Sequence, residues 1–210
     1  RAMTNQAEAN LYEPEIVLAG SDNWDPTAIA PAVTVYNWTG NASTNEWLEA
    51  ENWNPEGVPS SGEVGQVDGD FTINASGGDF LADLNVSNGA TLNVAASSHV
   101  TLLNLKESTI ATTSNSTLTG AIKTKGDITI NSSQDLDLQA TLTGVHQVTF
   151  NGSVNTLLNT ANDAFSGEFV IENGNTQAKV SKSLGSAKKI TIKTDGRLTV
   201  DVSDAIFTST

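Results

Sequence analysis

Four short β-forming runs recur at an almost constant interval in the second half of this chain. They are Ile128-Thr129-Ile130-Asn131, Val148-Thr149-Phe150-Asn151, Phe169-Val170-Ile171-Glu172 and Ile190-Thr191-Ile192-Lys193, and their starts lie 20, 21 and 21 residues apart. A fixed period of about 20 with no helical pattern between the repeats belongs to a strand-built solenoid, in which a coil buries its apolar row only by stacking on its neighbours. A β-sandwich also uses many short strands, but nothing in it requires a fixed period. The expectation is an all-β chain: a right-handed parallel β-helix, handed by the general crossover rule.

A second strand follows the first within each unit. Val86 leads through Ser87-Asn88-Gly89 to Thr91-Leu92-Asn93-Val94, Ile171 through Asn173-Gly174 to Ala178-Lys179-Val180, and Ile192 through Asp195-Gly196 to Arg197-Leu198-Thr199-Val200. Asn-Gly and Asp-Gly ordinarily mark hairpins. Recurring at one phase of a long repeat, they read better as corners between faces of a coil. Alternation at Leu92/Val94 and Leu198/Val200 points those side chains inward and Thr or Asn outward. The hydrophobic share of 38% lies below the usual ~45–50% of globular chains, as suits a thin core fed by alternate residues.

Three stretches separate along the chain. Residues 1–35 show no period, hold Pro14, Pro26 and Pro31, and read as an irregular segment; residues 36–70 form a Trp-rich N-terminal cap; residues 71–210 read as the parallel β-helix, of about six or seven coils at a ~4.8 Å rise. The tail Ile206-Phe207-Thr208-Ser209-Thr210 carries no cap signal, so the helix is expected to continue in a longer protein, with head-to-tail self-association between copies that weakens with salt.

The net charge of −14 is uneven: residues 1–105 hold 14 acids and one base, residues 106–210 hold 10 acids and nine bases. An acidic surface repels phosphate backbones, which argues against nucleic acid and anionic lipid as partners. No apolar run of about 18 residues exists, so no membrane insertion by a helix is expected in this segment. The chain has no cysteine, which removes disulfides and thiolate metal sites. Lys179, Lys182, Lys188, Lys189 and Lys193 form a mildly basic stretch, read as a solvated face that discourages strand pairing with neighbours.

Two segments resemble bacterial secreted families. Trp38-Thr39-Gly40, Trp47, Glu51-Asn52-Trp53, Gly57-Val58-Pro59 and Gly62-Glu63 resemble a pattern that opens secreted parallel β-helix regions, with Glu63 where that pattern has Asp. The run from Leu157 through Asn162-Asp163-Ala164-Phe165-Ser166-Gly167, followed by Phe169-Val170-Ile171 and Ser183-Leu184-Gly185, resembles the autotransporter-associated β-strand repeat. The resemblance covers about 30 residues near the N-terminus and about 50 at the C-terminal end. It implies an extracellular or bacterial cell-surface setting, on an adhesin, an autotransporter-like passenger or part of a polysaccharide-active protein. Fold alone does not choose among these.

Candidate sites are few. Trp24, Trp38, Trp47 and Trp53 are the only tryptophans of the chain. They would form either a platform for stacking sugar rings or a plug for the open end of the solenoid, with Trp24 the best sugar contact. Asp68 with Asp70 is the calcium candidate, since hard oxygen ligands suit that ion, although no Asp-x-Asp-x-Asp-Gly loop is present. Asp79 with Asp83 and Asp135 with Asp137 are the other carboxylate pairs; the last two sit two apart on a strand and so share a face. A pair ~7 Å apart meets the loose distance condition for glycoside hydrolysis. A lyase for acidic sugars wants basic partners, and the only arginines are Arg1 and Arg197. His99 and His146 stand alone, with no Gly-x-Ser-x-Gly elbow. Thr112, Thr113, Thr117, Thr119, Thr129, Thr149 and Thr191 could build a hydroxyl ladder that orders water, as in ice-binding proteins, with Glu172 and Lys193 breaking its phase. Ordinary β-propensity and Thr–Thr contacts explain them as well.

The function these features imply is a non-catalytic adhesion or scaffold module that presents a rigid surface to glycans or surface proteins. The competing class is a module of a polysaccharide-active enzyme, a lyase or glycoside hydrolase. No catalytic residue and no cofactor beyond calcium is named by the sequence.

Overall fold

A computed structural model describes residues 32–202. Within them the chain is all-β, a parallel β-solenoid of about seven turns, with a single 3-10 turn at Ala50–Asn52 as the only helical element. Trp24 and the tail at residues 206–210 lie outside the described residues, as does most of the irregular segment at 1–35.

Each coil crosses three faces. The first, here the amide face, carries Val64–Asp68, the second halves of Gly78–Ser87, Ser98–Lys106 and Ser116–Thr124, and Thr141–Gly144. The second, the threonine face, carries Thr72–Ala75, Thr91–Val94, Ser108–Thr112, Ile128–Ser132 and the first halves of Gln147–Leu158, Glu168–Ala178 and Lys189–Val200. The third, the carboxylate face, carries the first halves of the strands that turn onto the amide face, then Leu136–Leu138, then the second halves of the three long strands. Among the described residues every pairing between coils is parallel; the one antiparallel contact, between Val35–Trp38 and Trp53–Asn54, belongs to the cap.

The four runs stack in register as expected: Ile128 faces Val148, Val148 faces Phe169 and Phe169 faces Ile190. Their inward neighbours Ile130, Phe150 and Ile171 join Ile73, Leu92 and Ile110 in one column, each at most 1% exposed. Leu92 and Val94 point inward and are buried, whereas Leu198 and Val200 are half-buried on the last described rung. The column is the core, continuous from the tryptophans to Ile171. Stacking makes it long and thin, which is why few apolar residues suffice.

Two expectations shift. The boundary at residue 71 falls inside a coil, because Val64–Asp68 already pairs in register with Asp83–Ser87 and Val35–Asn37 with Val64–Gln66. The stack therefore begins within the Trp-rich segment. The corner dipeptides also divide between two corners. Asn173-Gly174 stacks on Asp195-Gly196 between the threonine and carboxylate faces. Asn88-Gly89, with φ of 54° and 95°, instead turns the chain from the amide face onto the threonine face. Any corner that needs positive φ selects the same residues, so their chemistry does not say which corner it is.

Gly120 shows how tightly corners pack. It turns from the carboxylate face to the amide face at φ 108°, and a Cβ there would lie 1.7 Å from the Val100 carbonyl oxygen one coil below. Gly167, in the segment that resembles the autotransporter repeat, is closed in the same way by the His146 carbonyl oxygen at 2.0 Å. Asn162 and Phe165 of that segment also have physical reasons. The buried Asn162 accepts from Leu142 N at 2.7 Å and donates to the Ser183 carbonyl, bridging three coils. Phe165 turns inward and stacks on Phe169 with centroids 4.5 Å apart.

Candidate functional site

Outward positions of the threonine face form a column that the four runs only begin. Thr72 faces Thr91, Thr91 faces Thr109, and the register continues through Thr129, Thr149, Val170 and Thr191. Seven rungs thus carry six threonines and one valine, a residue of nearly the same shape. Threonine suits this place because its branched Cβ fits the pleated sheet and holds χ1 stiff. At ~4.8 Å per rung the column is about 29 Å long. Among the described residues one of its hydroxyls, that of Thr149, accepts a side-chain hydrogen bond, from Gln147 Nε2 at 3.0 Å.

Two residues further along each strand comes a second outward column, Asn74, Asn93, Ala111 and Asn131 in register. On the next rungs the same step from the threonine column reaches Asn151, Glu172 and Lys193. Asn93 Nδ2 donates to Asn74 Oδ1 at 3.0 Å, while Asn93 Oδ1 is buried without a partner. The neighbour on the far side is Ala111, which has no amide to donate. One methyl group thus interrupts an amide ladder. From Thr72 to Asn151 the two columns contain no charged side chain. The charges Glu172 and Lys193 break the second column on its last rungs and leave the threonine column whole. Beside the threonines a shallow groove of about 290 Å³ runs across three coils, lined by Thr109, Thr129, Thr149, Glu107, Asp127 and Gln147.

The other expected threonines scatter. Thr112 is 2% exposed and points inward, its hydroxyl donating to the Gln134 carbonyl at 2.8 Å. Thr113 lies at a corner and accepts from Asn93 at 3.5 Å. Thr117 and Thr119 are on the carboxylate face, in register with Asp137 and His99.

The tryptophans meet at the start of the core. Trp38, Trp47 and Trp53 are 5%, 1% and 2% exposed. Trp38 and Trp53 pack edge to face at 5.0 Å, and Trp47 stacks on Phe80 at 5.4 Å. Trp53 Nε1 donates to the Trp47 carbonyl at 2.9 Å, and Trp47 Nε1 to the Gly77 carbonyl at 3.3 Å. A sugar ring needs an open indole face, and these three turn theirs into the core. Their place is that of the plug.

Asn52 organises the loop above them. Its buried amide accepts from Ala42 N at 2.9 Å and donates to the carbonyls of Thr44 and Glu46 at 2.8 and 3.2 Å. Glu63 closes the adjoining turn, accepting from Ser60 N at 2.7 Å, Ser60 Oγ at 2.8 Å and the Tyr36 hydroxyl at 3.2 Å. The Ser60 backbone and side-chain donors, with Tyr36, hold its carboxyl below the ordinary carboxylate range. The Tyr36 hydroxyl is pushed up, first by burial and then by the Glu63 charge.

The carboxylate pairs fare differently. Asp68 Oδ1 accepts from Ser87 Oγ at 2.7 Å and Asn88 Nδ2 at 2.6 Å, stitching one coil to the next. Among the described residues no three acidic, histidine or cysteine side chains gather around one point. Calcium takes about 6–8 oxygen ligands, of which Asp68 and Asp70 supply the carboxylates. Asp79 and Asp83 stand on different faces, in register with His99 and Leu102. Asp135 and Asp137 do share a face and line a shallow groove of about 270 Å³ with Asn115, Ser116, Thr117 and Leu157. Asp135 Oδ1 is taken by Asn155 N and Nδ2, both at 3.0 Å. Asp137 Oδ2 accepts from Gln139 at 2.8 Å, and its Oδ1 is buried without a donor. His99 Nδ1 lies 2.9 Å from Thr119 Oγ1, and His146 Nδ1 lies 3.9 Å from Asp127 Oδ1. Among the described residues neither histidine hydrogen-bonds to a serine.

No family model, curated protein or solved structure matches this chain.

Proposed function

We propose that this chain is a non-catalytic adhesion or scaffold module, set on the outside of a bacterial cell, whose rigid stack holds the threonine face against a neutral glycan or a surface protein. The observation that carries the reading is the seven-rung column from Thr72 to Thr191 with its companion amides. Hydroxyls and amides are the groups that exchange hydrogen bonds with uncharged polar ligands. Parallel stacking repeats the hydroxyls along one line, so a repeating ligand meets a threonine at six of the seven rungs. The groove beside Thr109, Thr129 and Thr149 adds depth to one stretch of that line.

A glycan-array screen tests the reading, run beside a variant with Thr109→Lys, Thr129→Lys and Thr149→Lys. Saturable binding by the native chain that the variant loses, with the same unfolding curve, supports it. Tryptophan emission should stay still on binding, because Trp38, Trp47 and Trp53 are buried in the plug; a shift would move the site to Trp24. An array with no saturable ligand would defeat the adhesion reading for glycans and leave a spacer or a protein-binding surface.

One observation favours the competing reading, an enzyme module acting on extracellular polysaccharide: the unpartnered Asp137 Oδ1 in a groove shared with Asp135. Release of reducing ends from any polysaccharide, abolished by Asp137→Asn, would put that reading first.

A further inference from the structure

Amide side chains on this solenoid bond to one another in a single direction. In five pairs on neighbouring coils the later residue donates and the earlier one accepts. Asn85 donates to Gln66 at 3.4 Å, Asn93 to Asn74 at 3.0 Å, Asn104 to Asn85 at 2.9 Å, Asn173 to Asn151 at 3.3 Å and Asn175 to Asn155 at 3.1 Å. Parallel stacking accounts for the shared direction, since each coil repeats the orientation of the one before it. Each Oδ1 therefore faces a donor on the next coil, and each Nδ2 an acceptor on the coil before.

At Ala111 this ladder has a gap. On the threonine face Asn93 stands one coil before Ala111 and Asn131 one coil after it, in register. Asn93 Oδ1 is buried without a donor, and the position that should supply one carries a methyl group. Asn131 is exposed and takes part in none of the five pairs. By the common direction its Nδ2 meets no acceptor at Ala111. An acceptor without a donor on one side and a donor without an acceptor on the other are the two halves of a missing amide. Two steps of ~4.8 Å separate Asn93 from Asn131, the span that Asn85 bridges between Gln66 and Asn104.

We infer that the gap at Ala111 takes the secondary amide of a ligand, and that the glycan held by the threonine face is built of N-acetylated amino sugars. The inference rests on the proposed function and names the class of sugar. An acetamido N–H donates to Asn93 Oδ1, its carbonyl accepts from Asn131 Nδ2, and its methyl group lies against Ala111. A sugar hydroxyl is too short to reach both amides and brings no methyl to cover Ala111. The acetamido group is also uncharged, as suits two columns without a charged side chain from Thr72 to Asn151. Ring hydroxyls of the same ligand meet Thr109 and Thr129, which stand two residues before Ala111 and Asn131 on their strands.

Calorimetric titration of the full 210-residue chain with an oligomer of N-acetylglucosamine, and with a glucose oligomer of the same linkage and length, tests this. The N-acetylated oligomer should bind about tenfold more tightly, the order of one net hydrogen bond. Ala111→Asn closes the ladder with the chain's own amide. It should lose that preference while unfolding at the same or a higher urea concentration, so that lost binding is not lost folding. Asn131→Ala breaks none of the five pairs and should weaken the N-acetylated oligomer alone. Equal binding of the two oligomers overturns the inference and leaves the proposed function standing. A preference that survives in Ala111→Asn overturns it as well. A chain that binds neither oligomer overturns the glycan reading and this inference together, and leaves a surface protein as the occupant of the face.

Discussion

The capped start of the solenoid and its last described rungs bury their cores by different means. At the start, dissimilar parts do one job: three indoles and Phe80 pack at several angles, and Asn52 ties together backbone groups that no strand reaches. In the later rungs one pattern repeats, with Phe169 stacked in register on Val148 and Ile171 on Phe150. No described rung lies beneath the plug to share the load, so each of its residues matters singly. A repeat spreads its stability over nearest-neighbour interfaces. The lesson is that end and middle of one solenoid should answer mutation differently.

The largest expected contrast is in packing. Trp53→Ala should cost about 3–5 kcal/mol of stability, the range for truncating a buried aromatic side chain. Leu198→Ala, on the half-buried rung, should cost about 1 kcal/mol or less. Urea unfolding of both variants measures the difference, and equal losses would break the comparison. Next comes polar organisation. Asn52→Ala strands Ala42 N and two carbonyls and should cost ~1–3 kcal/mol, whereas Asn173→Ala, at an exposed corner, should fall within about ±0.5 kcal/mol.

A gain of function for the fold is also expected. Ala111→Asn supplies the missing donor for Asn93 Oδ1 and should stabilise by ~1 kcal/mol; no gain in the urea midpoint would mean that the ladder does not continue through that rung. The smallest effect concerns pH. The folded state lowers the Glu63 carboxyl, so its contribution is complete above the ordinary carboxylate range and fades as pH falls through that range to the lowered value. Asp201 is lowered too, by hydrogen bonding to and the charge of Lys179 at 2.6 Å, so both ends lose stability in the same direction. They part on salt: molar salt should shrink the Asp201 share, an exposed charge pair, and leave the hydrogen-bonded Glu63 share. Acid titrations of Glu63→Gln and Asp201→Asn with and without salt read this out.

Much of the fold was legible because stacking forces equivalent residues to a fixed interval. The repeat is plain in the sequence from Ile128 to Lys193 and fainter in its three earlier copies. Their threonines, Thr72, Thr91 and Thr109, lead to Thr129 at intervals of 19, 18 and 20 residues, and the residues before them, Phe71, Ala90 and Ser108, share no character. The triplets Thr72-Ile73-Asn74 and Thr91-Leu92-Asn93, set beside Thr129-Ile130-Asn131, were the available signal. The site was less legible for a geometric reason. Alternation distinguishes inside from outside along one strand, but not which outward residues of different coils share a face. Thr112 and Thr113 look alike in sequence, and a corner sends one into the core and the other into solvent. Likewise Asp79 and Asp83 are close in sequence and sit on two faces, while Asp135 and Asp137 remain together.

The central claim is that one outward column runs in register along a straight stack. Because the chain has no cysteine, spin labels can be placed at will on Thr72→Cys paired in turn with Thr149→Cys, Val170→Cys and Thr191→Cys. Four, five and six rungs at ~4.8 Å predict separations of about 19, 24 and 29 Å, rising by equal steps. Distances that fail to rise in order, or that step unevenly by a whole rung or more, would contradict the stack and with it the threonine face.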